Sequence, residues 1–185
     1  LGHIQVGVVV VDVEDLTAQG EAVGVDTGGG QSDDHIAGLH VFVVQISDTP
    51  KEVSSTDAMA RCQQSPYWHV YLEQAAQAAD AAAMAILQKD FAALRDAMHS
   101  NAFQLHALTL TCQPPICYFT PKSLELVRHV LRSCKGLGIC CTMDAGANVV
   151  ILSEETAYPF IKNEIIALGL PYIQSRIGGG AVPVV

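Results

Sequence analysis

The sequence is short of charge. Lys, Arg, Asp and Glu make up 16% of its 185 residues, against about 25% in a typical soluble domain. That shortage points to extra buried surface: a partner domain, a dimer interface, or a chain that continues beyond what is given. Cations are scarcer still. Ten Lys plus Arg face nineteen Asp plus Glu, for a net charge of -9 and a pI near 5.0. This balance argues against non-specific nucleic-acid binding, which needs a positive surplus, but not against a small anionic ligand. No apolar run reaches the 18 or so residues of a membrane span, and the run at 6–11 is strand-sized. Leu1-Gly2-His3 has neither an initiator Met nor the charged start and apolar core of a signal peptide, which leaves open a natural start upstream. The six cysteines, at 62, 112, 117, 134, 140 and 141, contain no Cys-x-x-Cys pair. They read as reduced packing residues of a cytoplasmic protein. A zinc site from Cys112, Cys117 and His106 is disfavoured by Pro114-Pro115 and by the lack of a second pair. What is plentiful is apolar surface: half the residues are hydrophobic and the mean hydropathy is +0.29. A chain of this length buries roughly 70% of its unfolded surface, so disorder is a poor explanation and one domain is expected.

Strand and helix signals alternate along the chain. Residues 4–13 are β-branched and read as a buried strand. Residues 14–38 are polar and Gly-rich, a long flexible connection rather than a phosphate cradle, because Ser32-Asp33-Asp34 follows the glycines of 28–30. A second strand is expected at 39–47, ended by Pro50. A short helix running to Cys62 has Ser54, Ser55 and Thr56 as candidate caps. A longer helix restarts at Ser65-Pro66 and continues to about residue 88, with Ala75, Ala76, Ala79, Ala82 and Ala83 allowing close packing. Asp90 caps a third helix over 91–111, whose apolar stripe is Phe91, Leu94 and Met98. A fourth covers 122–133, with Leu124, Val127, Val130 and Leu131 on its inner side. Strands are expected at 139–143, 148–153 and 172–177, with a helix from Glu154 to about residue 168. No internal repeat or heptad is visible. The pattern predicts an α+β fold, a mainly antiparallel sheet covered by helices on one face.

Three features could carry chemistry. Thr142-Met143-Asp144-Ala145-Gly146-Ala147-Asn148 places a carboxylate at a strand end, in a turn whose small residues let a ligand approach. Partly shielded from water, Asp144 is a candidate general base; equally, it could bond only its own turn. Lys51 to Arg61 combines a helix start, the hydroxyls of Ser54, Ser55 and Thr56, and a cation in Lys51. That set suits an anion, or simply a capped surface helix. Ser100, Asn101 and His106 share one helix, for which a packing role is the default. A Ser55–His106–Asp144 hydrolase lacks a G-x-S-x-G elbow, and no Walker or Ser-rich phosphate loop is present.

Seven motifs, in order, resemble mevalonate diphosphate decarboxylases of the GHMP kinase superfamily: KEVSSTDAM (51–59), SPY (65–67), KDFAAL (89–94), SNAFQLHA (100–107), PPICY (114–118), MDAGAN (143–148) and RIGGGA (176–181). The resemblance spans residues 39–181 and is to the carboxy-terminal half of that family. It implies a ferredoxin-like α+β domain over 39–185 that serves the substrate. Residues 1–38 would then lead out of an absent ATP-binding half. It implies use of ATP and Mg²⁺, no metal ligand in this chain, and mevalonate 5-diphosphate as substrate, converted to isopentenyl diphosphate in isoprenoid biosynthesis. It also implies a cytoplasmic homodimer that engages neither membrane nor nucleic acid.

The family's catalytic aspartate maps onto Asp144. The diphosphate contacts map onto Lys51, Ser54, Ser55 and Thr56, with Met59 nearby, and Asn101, His106 and Asn148 support the turn. Ala147 stands where the family usually has Pro. The chain also lacks the family's phosphate loop and the Arg that holds the substrate carboxylate, so by itself it is expected to be inactive. Alternatives are a phosphomevalonate decarboxylase, a mevalonate 3-kinase and, in another class, a non-catalytic dimerisation or ligand-sensing module.

Overall fold

The computed structural model describes residues 38–176. The strand expected at 4–13, the loop after it and the glycines at 178–180 lie outside the described residues. Within them the order is β1 (His40–Val44), α1 (Ser55–Cys62), α2 (Trp68–Leu87), α3 (Phe91–Thr111), α4 (Pro121–Ser133), β2 (Ile139–Thr142), β3 (Val149–Ser153), α5 (Tyr158–Ala167) and β4 (Tyr172–Arg176). The four strands form one sheet in the order β2-β3-β1-β4. Every pairing is antiparallel, with Phe42 opposite Ile151 and Gln174. The α+β class and the antiparallel sheet are as the sequence predicts.

Helices, however, cover both faces of the sheet rather than one. Side chains alternate along a strand, so Val41 and Val43 of β1 pack with Val150, Leu152, Leu94, Met98 and Ala85 under α2 and α3. Phe42 and Val44 point the other way, into Ile151, Leu126, Val130, Ile161 and Ile165 under α4 and α5. The runs Val41-Phe42-Val43-Val44 and Val149-Val150-Ile151-Leu152 carry no polar alternation. Such continuous apolar strands are stable only where both faces are buried.

Local chemistry sets the helix ends. Asp90 accepts a hydrogen bond from the Ala93 N–H at 3.0 Å and starts α3 where expected. Thr120 and Ser123 form a reciprocal capping box on α4, with Pro121 in its first turn. The inner face of α4 is Ser123, Leu126, Val127 and Val130; Leu124 and Leu131, expected inside, are 42% and 37% exposed. On α2 the buried stripe is Tyr71, Ala75, Ala78, Ala82 and Ala85, spaced as one helical face. Ala76 and Ala83 face outward instead. Residues 154–157 make a turn, so α5 begins at Tyr158 rather than at Glu154.

A third apolar cluster lies where α1 closes over the start of α2 and the end of α3. Ala58 and Cys62 of α1 meet Tyr71, Ala75, Leu108, Cys112, Ile116 and Tyr118, with Ala145 packed against them. The cluster seats α1 beside the 143–148 turn. All six cysteines are unpaired, and only Cys117 is exposed. No described helix is long and apolar enough to cross a membrane.

Candidate functional site

The turn between β2 and β3 is anchored from both sides. Met143 is buried at 2% exposure, and the Gly146 N–H bonds back to the Asp144 carbonyl at 2.8 Å. Asn148 Oδ1 accepts from the backbone N–H groups of Ile46, at 2.9 Å, and Ser47, at 3.3 Å. The turn is thereby fastened to the chain leaving β1. Asp144 keeps access to water, yet enough protein surrounds its carboxyl for desolvation to raise its pKa above the usual carboxylate range. The Lys51 cation opposes that rise.

Lys51 connects this carboxylate to α1. Its Nζ donates to Ser55 Oγ at 3.0 Å, while its charge acts on Asp144. Ser54 is the N-cap: its Oγ accepts from the Asp57 N–H at 3.1 Å and donates to Asp57 Oδ2 at 2.8 Å. Tyr118 holds the preceding loop by donating to the Val53 carbonyl at 3.2 Å. Thr56 is exposed, and Met59 is 37% exposed on the outer side. The carboxylate turn and the hydroxyl-rich head of α1 therefore lie on one side of the molecule. Such a pair can bind an anion at the helix head while presenting a base to a proton of the same ligand.

His106 lies behind the turn. Its ring packs against Phe119 at 4.3 Å and, edge-on, against Tyr118 at 6.4 Å. The Met143 backbone lies beside the ring and favours its charged form slightly, but burial dominates and pushes the pKa down to about 4. Neither ring nitrogen has a hydrogen-bond partner, so no Ser55–His106–Asp144 relay exists. Asn101 is also buried, at 8% exposure, and its Oδ1 is unpartnered; no hydrogen bond links it to the turn. Among the described residues no three His, Cys, Asp or Glu side chains gather as a metal site, and Cys112, Cys117 and His106 do not.

Two residues at this site carried no sequence signal of a role there. Tyr71 opens the buried stripe of α2 and comes within electrostatic range of Asp144. Tyr118 follows the double proline and bonds the loop before α1. The 3.6-residue spacing of Tyr71 with Ala75, Ala78 and Ala82 would have placed the first of them inside.

A helix-covered antiparallel sheet that presents a carboxylate turn on the same side as a hydroxyl-rich helix head defines an α+β domain with one candidate site. The chain belongs to the mevalonate 5-diphosphate decarboxylase C-terminal domain family, whose model matches residues 41–170. It is 29% identical over 144 residues to a diphosphomevalonate decarboxylase of Debaryomyces hansenii, covering 75% of this chain and 35% of that one. Its structure resembles the mevalonate diphosphate decarboxylase of Staphylococcus aureus, with a TM-score of 0.72 and 27% identity over 81% of this chain and 47% of the other. A chain described as MDDEF in complex with MVAPP, AMPPCP and magnesium matches with a TM-score of 0.69 and 29% identity, over 78% and 46% of the two chains. The chain thus spans about a third of the length of the curated relatives it matches and under half of these solved ones.

Proposed function

We propose that this chain is the substrate-side part of an ATP-dependent decarboxylase that converts mevalonate 5-diphosphate to isopentenyl diphosphate. The observation that carries the reading is Lys51, which bonds Ser55 and whose charge acts on Asp144, in a domain of this family. Lys51, the hydroxyls of Ser55 and Thr56, and the open N–H groups of α1 receive the diphosphate. Ser54 is already engaged in capping, so it fixes the first turn of α1 and shapes the cradle, and Met59 borders it. Asp144 accepts the proton of the substrate's 3-hydroxyl and then faces the positive charge that develops at that carbon. Its raised pKa makes it a stronger base than an ordinary aspartate, and the Lys51 charge favours its ionised form. Asn148 and His106 hold the turn in place, with Asn101 in a supporting position on α3.

ATP with Mg²⁺ supplies the phosphoryl group that turns the hydroxyl into a leaving group. The described residues offer neither a phosphate loop nor a metal cluster, so the binding of ATP and Mg²⁺ is not assigned to them. Its residues would come from the amino-terminal half that the resemblance implies, with residues 1–38 as the connection. The homodimer and the cytoplasmic location belong to the same proposal; size-exclusion chromatography with light scattering and cell fractionation test them. The reaction is tested by supplying the complete protein with ATP, Mg²⁺ and mevalonate carrying no phosphate, one phosphate or a diphosphate, while carbon dioxide and ADP are followed. Release of carbon dioxide from the diphosphate supports the reading. Release from the monophosphate alone, ADP without carbon dioxide, or no turnover overturns it.

A further inference from the structure

The third apolar cluster contains two buried tyrosines with different fates. Tyr118 is 7% exposed and its hydroxyl is used, donating to the Val53 carbonyl. Tyr71 is equally buried at 7%, and its ring packs beside Trp68 with centroids 6.3 Å apart. Among the described residues its hydroxyl bonds to nothing, although the oxygen is not among the sealed, unpartnered atoms. A buried phenol ordinarily finds a partner for its O–H. Tyr71 shares one cluster with Ala58 and Cys62 of α1, and Ala145, next to Asp144 in the chain, packs against that cluster. Tyr71 lies within electrostatic range of Asp144, and the two are not hydrogen-bonded to each other.

We infer that the Tyr71 hydroxyl donates a hydrogen bond to the same ligand hydroxyl whose proton Asp144 accepts, so that the pair reads the presence and orientation of that alcohol. An alcohol oxygen has one proton to give and lone pairs to receive with. Asp144 as a carboxylate can only accept, which leaves the oxygen's own acceptor capacity unmet until a donor is supplied. Lys51 spends one of its three N–H donors on Ser55 and serves the diphosphate cradle in the proposed reading, and His106 is sealed behind the turn. Tyr71 is a buried donor on this wall with no protein partner among the described residues. Burial, with Cys62 and Asp144 nearby, raises its pKa above the ordinary phenol value, so it stays protonated at neutral pH. A site that hydrogen-bonds a substrate hydroxyl rejects an analogue lacking it, because its own polar groups are then stranded.

This inference rests on mevalonate 5-diphosphate being the ligand, and the test separates the two claims. Calorimetric titrations of the complete protein and of Tyr71→Phe use mevalonate 5-diphosphate and its 3-deoxy analogue. Wild type should prefer the hydroxylated ligand. Tyr71→Phe should bind it about tenfold more weakly, leave the deoxy affinity within about twofold, and keep its melting temperature, since no protein group loses a partner. Equal weakening for both ligands, or a fall in melting temperature, makes the hydroxyl structural and overturns the assignment. Unchanged affinity for both does the same. If wild type binds neither ligand, the functional reading fails and the assignment fails with it.

Discussion

Asn148 is the cheapest place to loosen the candidate site without touching its carboxylate. Its Oδ1 receives two backbone N–H groups from the chain leaving β1, and Asn148→Ala removes both bonds at once. At a net ~0.5–1.5 kcal/mol for each bond, the loss is about 1–3 kcal/mol. For a protein of this size the midpoint of that range lowers the melting temperature by about 4–8 °C. Asn148→Asp retains an acceptor in the same place and should recover most of the loss. Urea unfolding followed by circular dichroism measures the stabilities, and titration with mevalonate 5-diphosphate reads the effect on the site. The Ala variant should bind more weakly, because the turn that aims Asp144 has lost its tie to β1. If Asn148→Ala unfolds within ~0.5 kcal/mol of wild type, the bonds contribute nothing and the turn is held by packing alone. If it loses stability and binds as before, the turn does not position the ligand.

Two further predictions concern protonation. His106 is neutral in the fold, with its pKa pushed down to about 4, while in the unfolded chain it titrates near 6.5. The unfolded state therefore takes up the proton first, and the His106 contribution to stability is lost as pH falls from about 6.5 to 4. It amounts to up to about 3 kcal/mol; His106→Leu should flatten that stretch of the pH–stability curve, and an unchanged slope would place the histidine elsewhere. Lys51→Met removes the cation that restrains the Asp144 pKa, so the acidic limb of a kcat/KM–pH profile should move to higher pH while affinity for the diphosphate falls. A limb that stays put or moves down would show that Lys51 does not act on Asp144.

Much of this architecture was legible in the sequence because local signals and burial agree. Asp90 before Phe91, and Thr120-Pro121 before an amphipathic run, fix helix starts by capping chemistry that needs no tertiary context. The misreadings come where packing decides. On α4, Leu124 and Leu131 are as apolar as Leu126, and only the angle at which α4 lies on the sheet determines which of them is buried. The second helical layer was implicit in the unbroken apolar runs of β1 and β3, which an alternating one-faced sheet would not show. Glu154 and Glu155 are good first-turn residues, but Glu154 N–H bonds to the Gly138 carbonyl at 2.9 Å, and this tie delays the helix. For the site, Asp144, Lys51 and the serine-rich helix head stood out as polar residues among apolar ones. Tyr71 did not, because an aromatic at the start of an Ala-rich helix has the same signature whether it fills a core or borders a ligand.

The account depends on Asp144 as the group that handles the substrate hydroxyl. The most direct measurement compares steady-state carbon dioxide release from mevalonate 5-diphosphate by the complete protein and by Asp144→Asn, alongside the thermal stability of both. Because the folded-state pKa of Asp144 is raised, its ionised form opposes folding at neutral pH, so the Asn variant should be as stable as wild type or more so. Its turnover should fall by roughly 10²–10⁴-fold. A variant that turns over within about twofold of wild type would contradict the assignment of Asp144 and the site built around it.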